Sequence, residues 1–84
     1  MKKIIMYTGP MCAFCDAAKR LLKRNNANFE EIDIGTNLEI REEMIKKSNG
    51  RRTVPQIFVG DKHIGGYEEL RALEKNSELN KVLE

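Results

Sequence analysis

Cys12 and Cys15 are the only cysteines in an 84-residue chain, and two residues separate them. Paired thiols can staple a fold, hold a metal, pack as small apolar groups or carry redox chemistry. A bridge over so short a loop restrains little of the unfolded chain. Small secreted domains instead space their cysteines to close long loops. Four-coordinate zinc needs two further ligands, and the chain offers one histidine, His63. A metal shared between two copies and a packed, inert thiol pair both stay open on these grounds. Thiol–disulfide exchange fits the pair best. It needs a nucleophile with appreciable thiolate near neutral pH and a second sulfur to displace the bound partner.

Such a pair must be positioned by a helix N-terminus, whose unpaired N–H groups and positive dipole end favour an anion. The sequence supplies one. Lys3-Ile4-Ile5-Met6-Tyr7 is a short strand-like run closed by Gly9-Pro10. From Ala13 to Arg24 the pattern turns helical: Phe14, Ala17, Ala18, Leu21 and Leu22 share one stripe, and Lys19, Arg20, Lys23 and Arg24 form a solvated face. Cys12, at the outer edge of this helix, is the expected nucleophile with a lowered pKa. Cys15, one turn further in, is the expected resolving thiol.

The remaining elements follow in order. Asn25-Asn26-Ala27-Asn28 ends the helix, and Phe29–Ile34 alternates as a second strand. Thr36-Asn37-Leu38-Glu39 has capping-box spacing with Thr36 as the N-cap. It opens a helix with Leu38, Met44 and Ile45 inward, and Asn49-Gly50 stops it. Gln56–Val59 and Lys62–Ile64 are joined by Gly60-Asp61 as a hairpin, with His63 expected exposed. Gly65-Gly66 breaks the second of these strands. A third helix over Tyr67–Glu74 and a short one over Ser77–Leu83 close the chain. The order β-α-β-α-β-β-α-α predicts one α/β domain over residues 1–84, a four-stranded mixed sheet with helices on both faces. Pro55 opens a strand either as a simple edge-strand start or as a cis-proline whose flanking backbone is free to pair with an extended peptide.

Fifteen basic and thirteen acidic side chains leave a net charge of +2, too small an excess to argue for nucleic acid. Hydrophobic residues at 40% and charged residues at 33% suit a water-soluble domain. The basic start Met1-Lys2-Lys3 is followed by an apolar run shorter than the about 7–15 residues of a signal sequence, and no run suits a membrane span. A cytoplasmic location is expected.

These residues resemble glutaredoxins. Tyr7-Thr8 ahead of Cys12-X-X-Cys15, the run Thr53-Val54-Pro55-Gln56-Ile57-Phe58-Val59, and Ile64-Gly65-Gly66-Tyr67-Glu68-Glu69-Leu70 match three family motifs in order, over essentially the whole chain. The resemblance implies a thioredoxin-like fold with Pro55 in cis. It also implies a glutathione-dependent oxidoreductase that reduces protein disulfides and glutathione mixed disulfides. Glutathione is then the co-substrate and no metal is needed. Disulfide-containing or glutathionylated proteins are the partners, and the chain is expected to be a monomer. Thr53 and the Val54 backbone beside Pro55 would pair with the glutathione cysteine. Gly66 and Tyr67 would bring N–H groups to the γ-glutamyl carboxylate, with Glu68 near its ammonium. Arg51, or else its neighbour Arg52, would meet the glycine carboxylate, and Phe14 flanks the nucleophile.

The chain also departs from the family pattern. Gly9 stands where a lysine is usual, Ala13 replaces the motif proline, Phe14 replaces a tyrosine, and Asp16 places a carboxylate in the first helical turn. Gly9 and Asp16 predict a smaller depression of the Cys12 pKa. Family members without that proline sometimes bridge an iron–sulfur cluster between two subunits, so a glutathione-ligated cluster carrier is one rival reading. A glutaredoxin-like protein reduced by thioredoxin reductase is another.

Overall fold

The computed structural model describes residues 2–84; Met1, part of the basic start considered above, lies outside the described residues. The strands are β1 (Ile4–Thr8), β2 (Glu30–Asp33), β3 (Gln56–Val59) and β4 (Lys62–Gly65). The helices are α1 (Ala13–Arg24), α2 (Leu38–Lys47), α3 (Tyr67–Lys75) and α4 (Leu79–Leu83). The strands form one sheet in the order β2-β1-β3-β4. β1 runs parallel to β2 and antiparallel to β3, and β3 and β4 are antiparallel. This is the expected mixed sheet.

Alternation along β1 divides the interior into two cores, because successive side chains point to opposite faces. Ile4 and Met6 join Ala18, Leu21, Leu22, Ile57, Val59, Leu70, Leu79 and Leu83 on one face. Tyr7 joins Ile34, Met44 and Phe58 on the other, with Ile5, Ile40 and Ile45 packed against them. The α1 stripe is as periodicity predicts, with Ala18, Leu21 and Leu22 buried, but Phe14 at its start is 61% exposed. Met44 is the one buried residue of α2. Fully burying a side chain of its size contributes roughly 2 kcal/mol, so α2 is held to the sheet at few points.

Four local expectations need correcting. Asn37, not Thr36, caps α2: its Oδ1 accepts from the Ile40 N–H at 3.1 Å. An asparagine one residue nearer the helix does the task at least as well as threonine. Leu38, the first residue of that helix, consequently points outward at 76% exposure. α4 begins at Leu79 rather than Ser77, because Ser77 takes a left-handed φ of 59° that a right-handed helix cannot include. His63 is half-buried, not exposed, with its ring stacked on Phe58 at a centroid distance of 4.8 Å.

Candidate active site

β1 delivers the chain to α1 through Gly9-Pro10-Met11. Cys12 is the N-cap of α1, with extended backbone at φ −113° and ψ 101°, and its Sγ accepts from the Cys15 N–H at 3.0 Å. A sulfur at the N-cap thus takes the hydrogen bond that a serine or aspartate oxygen takes at other helices. The same geometry favours the thiolate once the pair is reduced. Cys12 and Cys15 are joined here as a disulfide with their Cα atoms 5.2 Å apart. Cys15 is 2% exposed, whereas Cys12 is only partly buried. An incoming disulfide can therefore reach Cys12 and cannot reach Cys15. This difference in access fits Cys12 as the attacking thiol and Cys15 as the resolving one.

The Cys12 sulfur lies 3.7 Å from the Val54 carbonyl oxygen. In the disulfide it has no proton to donate, so this is a close approach rather than a hydrogen bond. Val54 and Pro55 are joined by a cis peptide bond. The segment before β3 lies beside the sulfur. A cleft of about 230 Å³ opens there. Its lining brings together Phe14, Arg51, Thr53, Val54, Pro55, Gly66, Tyr67 and Glu68, and adds Glu69. Arg52 is exposed and does not join them. Phe14 stacks on Tyr67 at 5.9 Å with 25° between the ring planes, forming an aromatic wall from the first turn of α1 to the first turn of α3.

Glu69 was not singled out by the sequence reading. Its Oε1 accepts from the Gly66 N–H at 2.6 Å and from Arg51 Nη1 at 3.1 Å. These contacts lower its pKa, the backbone hydrogen bond from Gly66 being the largest cause. The signal was present, because Gly66-Tyr67-Glu68-Glu69 has the spacing of a capping box with glycine at the N-cap. In this structure the Gly66 N–H, expected to face a ligand carboxylate, is taken by Glu69. The glycines beside it are required by space. Gly65 adopts φ +120°, and a Cβ there would run into Glu69; a Cβ on Gly66 would sit 3.3 Å from the Pro55 carbonyl oxygen.

Gln56 is the second residue the sequence reading passed over. It is fully buried, and its Nε2 donates to the Thr53 carbonyl at 2.9 Å and to Thr53 Oγ1 at 3.2 Å. Its Oε1 lies 2.7 Å from His63 Nε2. Burial, and then the nearby Arg51 charge, lower the His63 pKa, which favours the neutral ring. The only sequence signal was a polar residue at the head of a short apolar strand.

A mixed sheet whose first helix carries an accessible N-cap cysteine and a shielded partner one turn on is the apparatus of a thioredoxin-like thiol–disulfide oxidoreductase. The glutaredoxin family profile matches residues 4–64. The chain is 45% identical to glutaredoxin 3 of Escherichia coli over 83 residues, covering 99% of each protein. Its fold matches the solution structure of glutaredoxin from Brucella melitensis with a TM-score of 0.87 and 46% identity, over 99% of this chain and 89% of that one. A buckwheat glutaredoxin–glutathione complex matches with a TM-score of 0.87 and 25% identity, over 98% of this chain and 76% of that one. The chain belongs to the glutaredoxin family, and its activity is thiol–disulfide exchange through Cys12 and Cys15. Among the described residues, no helix is long and apolar enough to cross a membrane, and no group of three His, Cys, Asp or Glu side chains could hold a metal ion.

Proposed function

We propose that the chain reduces glutathione mixed disulfides and protein disulfides in the cytoplasm as a monomer, with glutathione bound in the cleft beside Cys12. The observation that carries this reading is the chemistry of that lining. One guanidinium, two carboxylates and a strand-like backbone segment surround a small cleft next to the nucleophile. Glutathione presents the complement: two carboxylates, one ammonium and a peptide backbone. Its cysteine would pair with the Val54 backbone as an added strand does. Its glycine carboxylate would meet Arg51, and its ammonium Glu68. The γ-glutamyl carboxylate would take the free N–H groups of Tyr67 and Glu68 in the first turn of α3, since Gly66 donates to Glu69.

In the cycle, the Cys12 thiolate attacks the glutathione sulfur of a glutathionylated protein, and the protein leaves as a thiolate. The enzyme–glutathione disulfide is resolved by a second glutathione, giving glutathione disulfide and free Cys12. With a protein disulfide, Cys12 forms a mixed disulfide with the protein. Cys15 then displaces the protein thiol and closes Cys12–Cys15, which two glutathione molecules reduce.

The test is glutathione-dependent reduction of a small mixed disulfide and of a protein disulfide by wild type, Cys12→Ser and Cys15→Ser. Cys12→Ser should lose both activities; Cys15→Ser should keep the first and lose most of the second. Folded, reduced wild type without turnover would overturn glutathione dependence, and equal losses in the two variants would overturn the division of roles.

A further inference from the structure

The cleft wall formed by Thr53 and Val54 belongs to a loop, yet it must hold its backbone steady beside a reacting sulfur. What fixes it comes from the opposite face of the sheet. Thr53 C=O is a pure acceptor, so the Gln56 atom facing it must be the amide nitrogen. That orientation turns Gln56 Oε1 toward His63, so the 2.7 Å contact requires His63 to donate through Nε2–H. The donor/acceptor pattern has one solution. His63 donates to Gln56, and Gln56 donates twice to Thr53, the residue before Val54.

The placement of both groups supports a task beyond packing. Gln56 is fully buried, so an unpaired amide there is costly and the side chain cannot turn to water instead. His63 is fixed by its stack on Phe58 and lies on β4, where the pairing Phe58↔His63 follows a register irregularity at Ile57/Phe58. A bulge that re-aims a side chain is a known use of such irregularities.

We propose that His63 and Gln56 are positioning residues for glutathione chemistry: a hydrogen-bonded clamp that holds Thr53, and through it the Val54 backbone, in the form that receives the glutathione cysteine. This rests on the glutathione reading of the cleft. Neither residue touches the reacting sulfurs, so the clamp acts on recognition of glutathione rather than on bond exchange.

The experiment compares wild type, His63→Phe and His63→Gln. Phenylalanine keeps the stack on Phe58 and removes the donor. Glutamine places an amide N–H near the position of Nε2. With the mixed disulfide of glutathione and cysteine as substrate, His63→Phe should raise KM by roughly fivefold, the equivalent of one net hydrogen bond. Its kcat should stay within about twofold. His63→Gln should restore a KM within about twofold of wild type. A His63→Phe enzyme with unchanged KM, or a His63→Gln enzyme as impaired as His63→Phe, would overturn the clamp. Long-range 15N NMR of the free protein tests it without glutathione: an Nε2–H ring supports it, and an Nδ1–H ring refutes it. Should wild type fail to use glutathione, the turnover assay would overturn the cleft reading alone, and the tautomer would still decide the clamp.

Discussion

Glu69→Ala isolates what a single carboxylate does for the shape of the cleft. In the native protein Glu69 Oε1 satisfies the buried Gly66 N–H at 2.6 Å and pairs with Arg51 at 3.1 Å. The two losses are unequal. Gly66 is buried, so its orphaned N–H costs about 1–2 kcal/mol, the range for a lost helix cap. The Arg51 and Glu69 side chains are 44% and 43% exposed, so their ion pair is screened and contributes at most about 0.5 kcal/mol. Glu69→Ala should therefore destabilise by roughly 1–2.5 kcal/mol, and Arg51→Ala by no more than about 0.5. Glu69→Gln keeps an acceptor for Gly66 but loses its charge, and should fall between them at about 0.5–1 kcal/mol. Urea unfolding of the oxidised proteins reads these differences as midpoint shifts at constant slope. The pH dependence has a definite sign. The Glu69 pKa is lowered in the folded protein, so its stabilisation is present above the ordinary glutamate value and is lost as pH falls through the lowered one. The wild-type advantage over Glu69→Ala should shrink in acid. An Arg51→Ala variant as unstable as Glu69→Ala would refute the ranking, and so would a Glu69→Ala variant indistinguishable from wild type.

Two other perturbations probe the frame around the site. Glu74, held by Arg24 at 2.6 and 2.9 Å and by Asn25 at 2.7 Å, has its pKa lowered to about 2, with Arg24 the largest cause. The tie of α1 to α3 should persist from neutral pH down past the ordinary value and fail as pH approaches about 2, and Glu74→Gln should flatten the fall of thermal midpoint over that window in a pH series. Ser48, at the C-terminal end of α2, buries a hydroxyl that finds no hydrogen-bond partner among the described residues. Ser48→Ala removes an unmet polar group at little change in volume and should stabilise by about 0.5–1 kcal/mol in urea unfolding; destabilisation would mean that the hydroxyl is satisfied in solution.

Local signals in the sequence were sufficient for the element order, because each strand and helix carries its own period and its own terminators. Asn26 and Asn49 take left-handed φ values of 57° and 58° after helices, as asparagine at a helix end suggests. The cleft was legible for a related reason. Its residues sit in short runs at the ends of elements, where a strand–helix sequence leaves little choice of location. Leu38 was misjudged because apolarity alone does not tell a helix's first turn from its interior. Half-burial of His63 was not legible, because it depends on a bulged pairing between β3 and β4 that no local pattern encodes. Glu69 sat in plain view at capping-box spacing. Its second partner, Arg51, comes from a loop 18 residues earlier, and only the folded chain brings the two together.

The composition of β2 bears on where another chain could add itself to this sheet. β2 lies at one rim, with a neighbour on one side only, and three of its four residues are Glu30, Glu31 and Asp33. Lys3 pairs with Glu30, and Lys19 with Glu31, so charged side chains crowd that rim. At the opposite rim, β4 carries Lys62 and an irregular register. Both borders thus carry features by which natural sheets discourage edge-to-edge growth. An extended chain seeking main-chain partners meets charge at both flanks of the sheet, and on the proposed reading the segment beside Cys12 is where such pairing would be rewarded with chemistry.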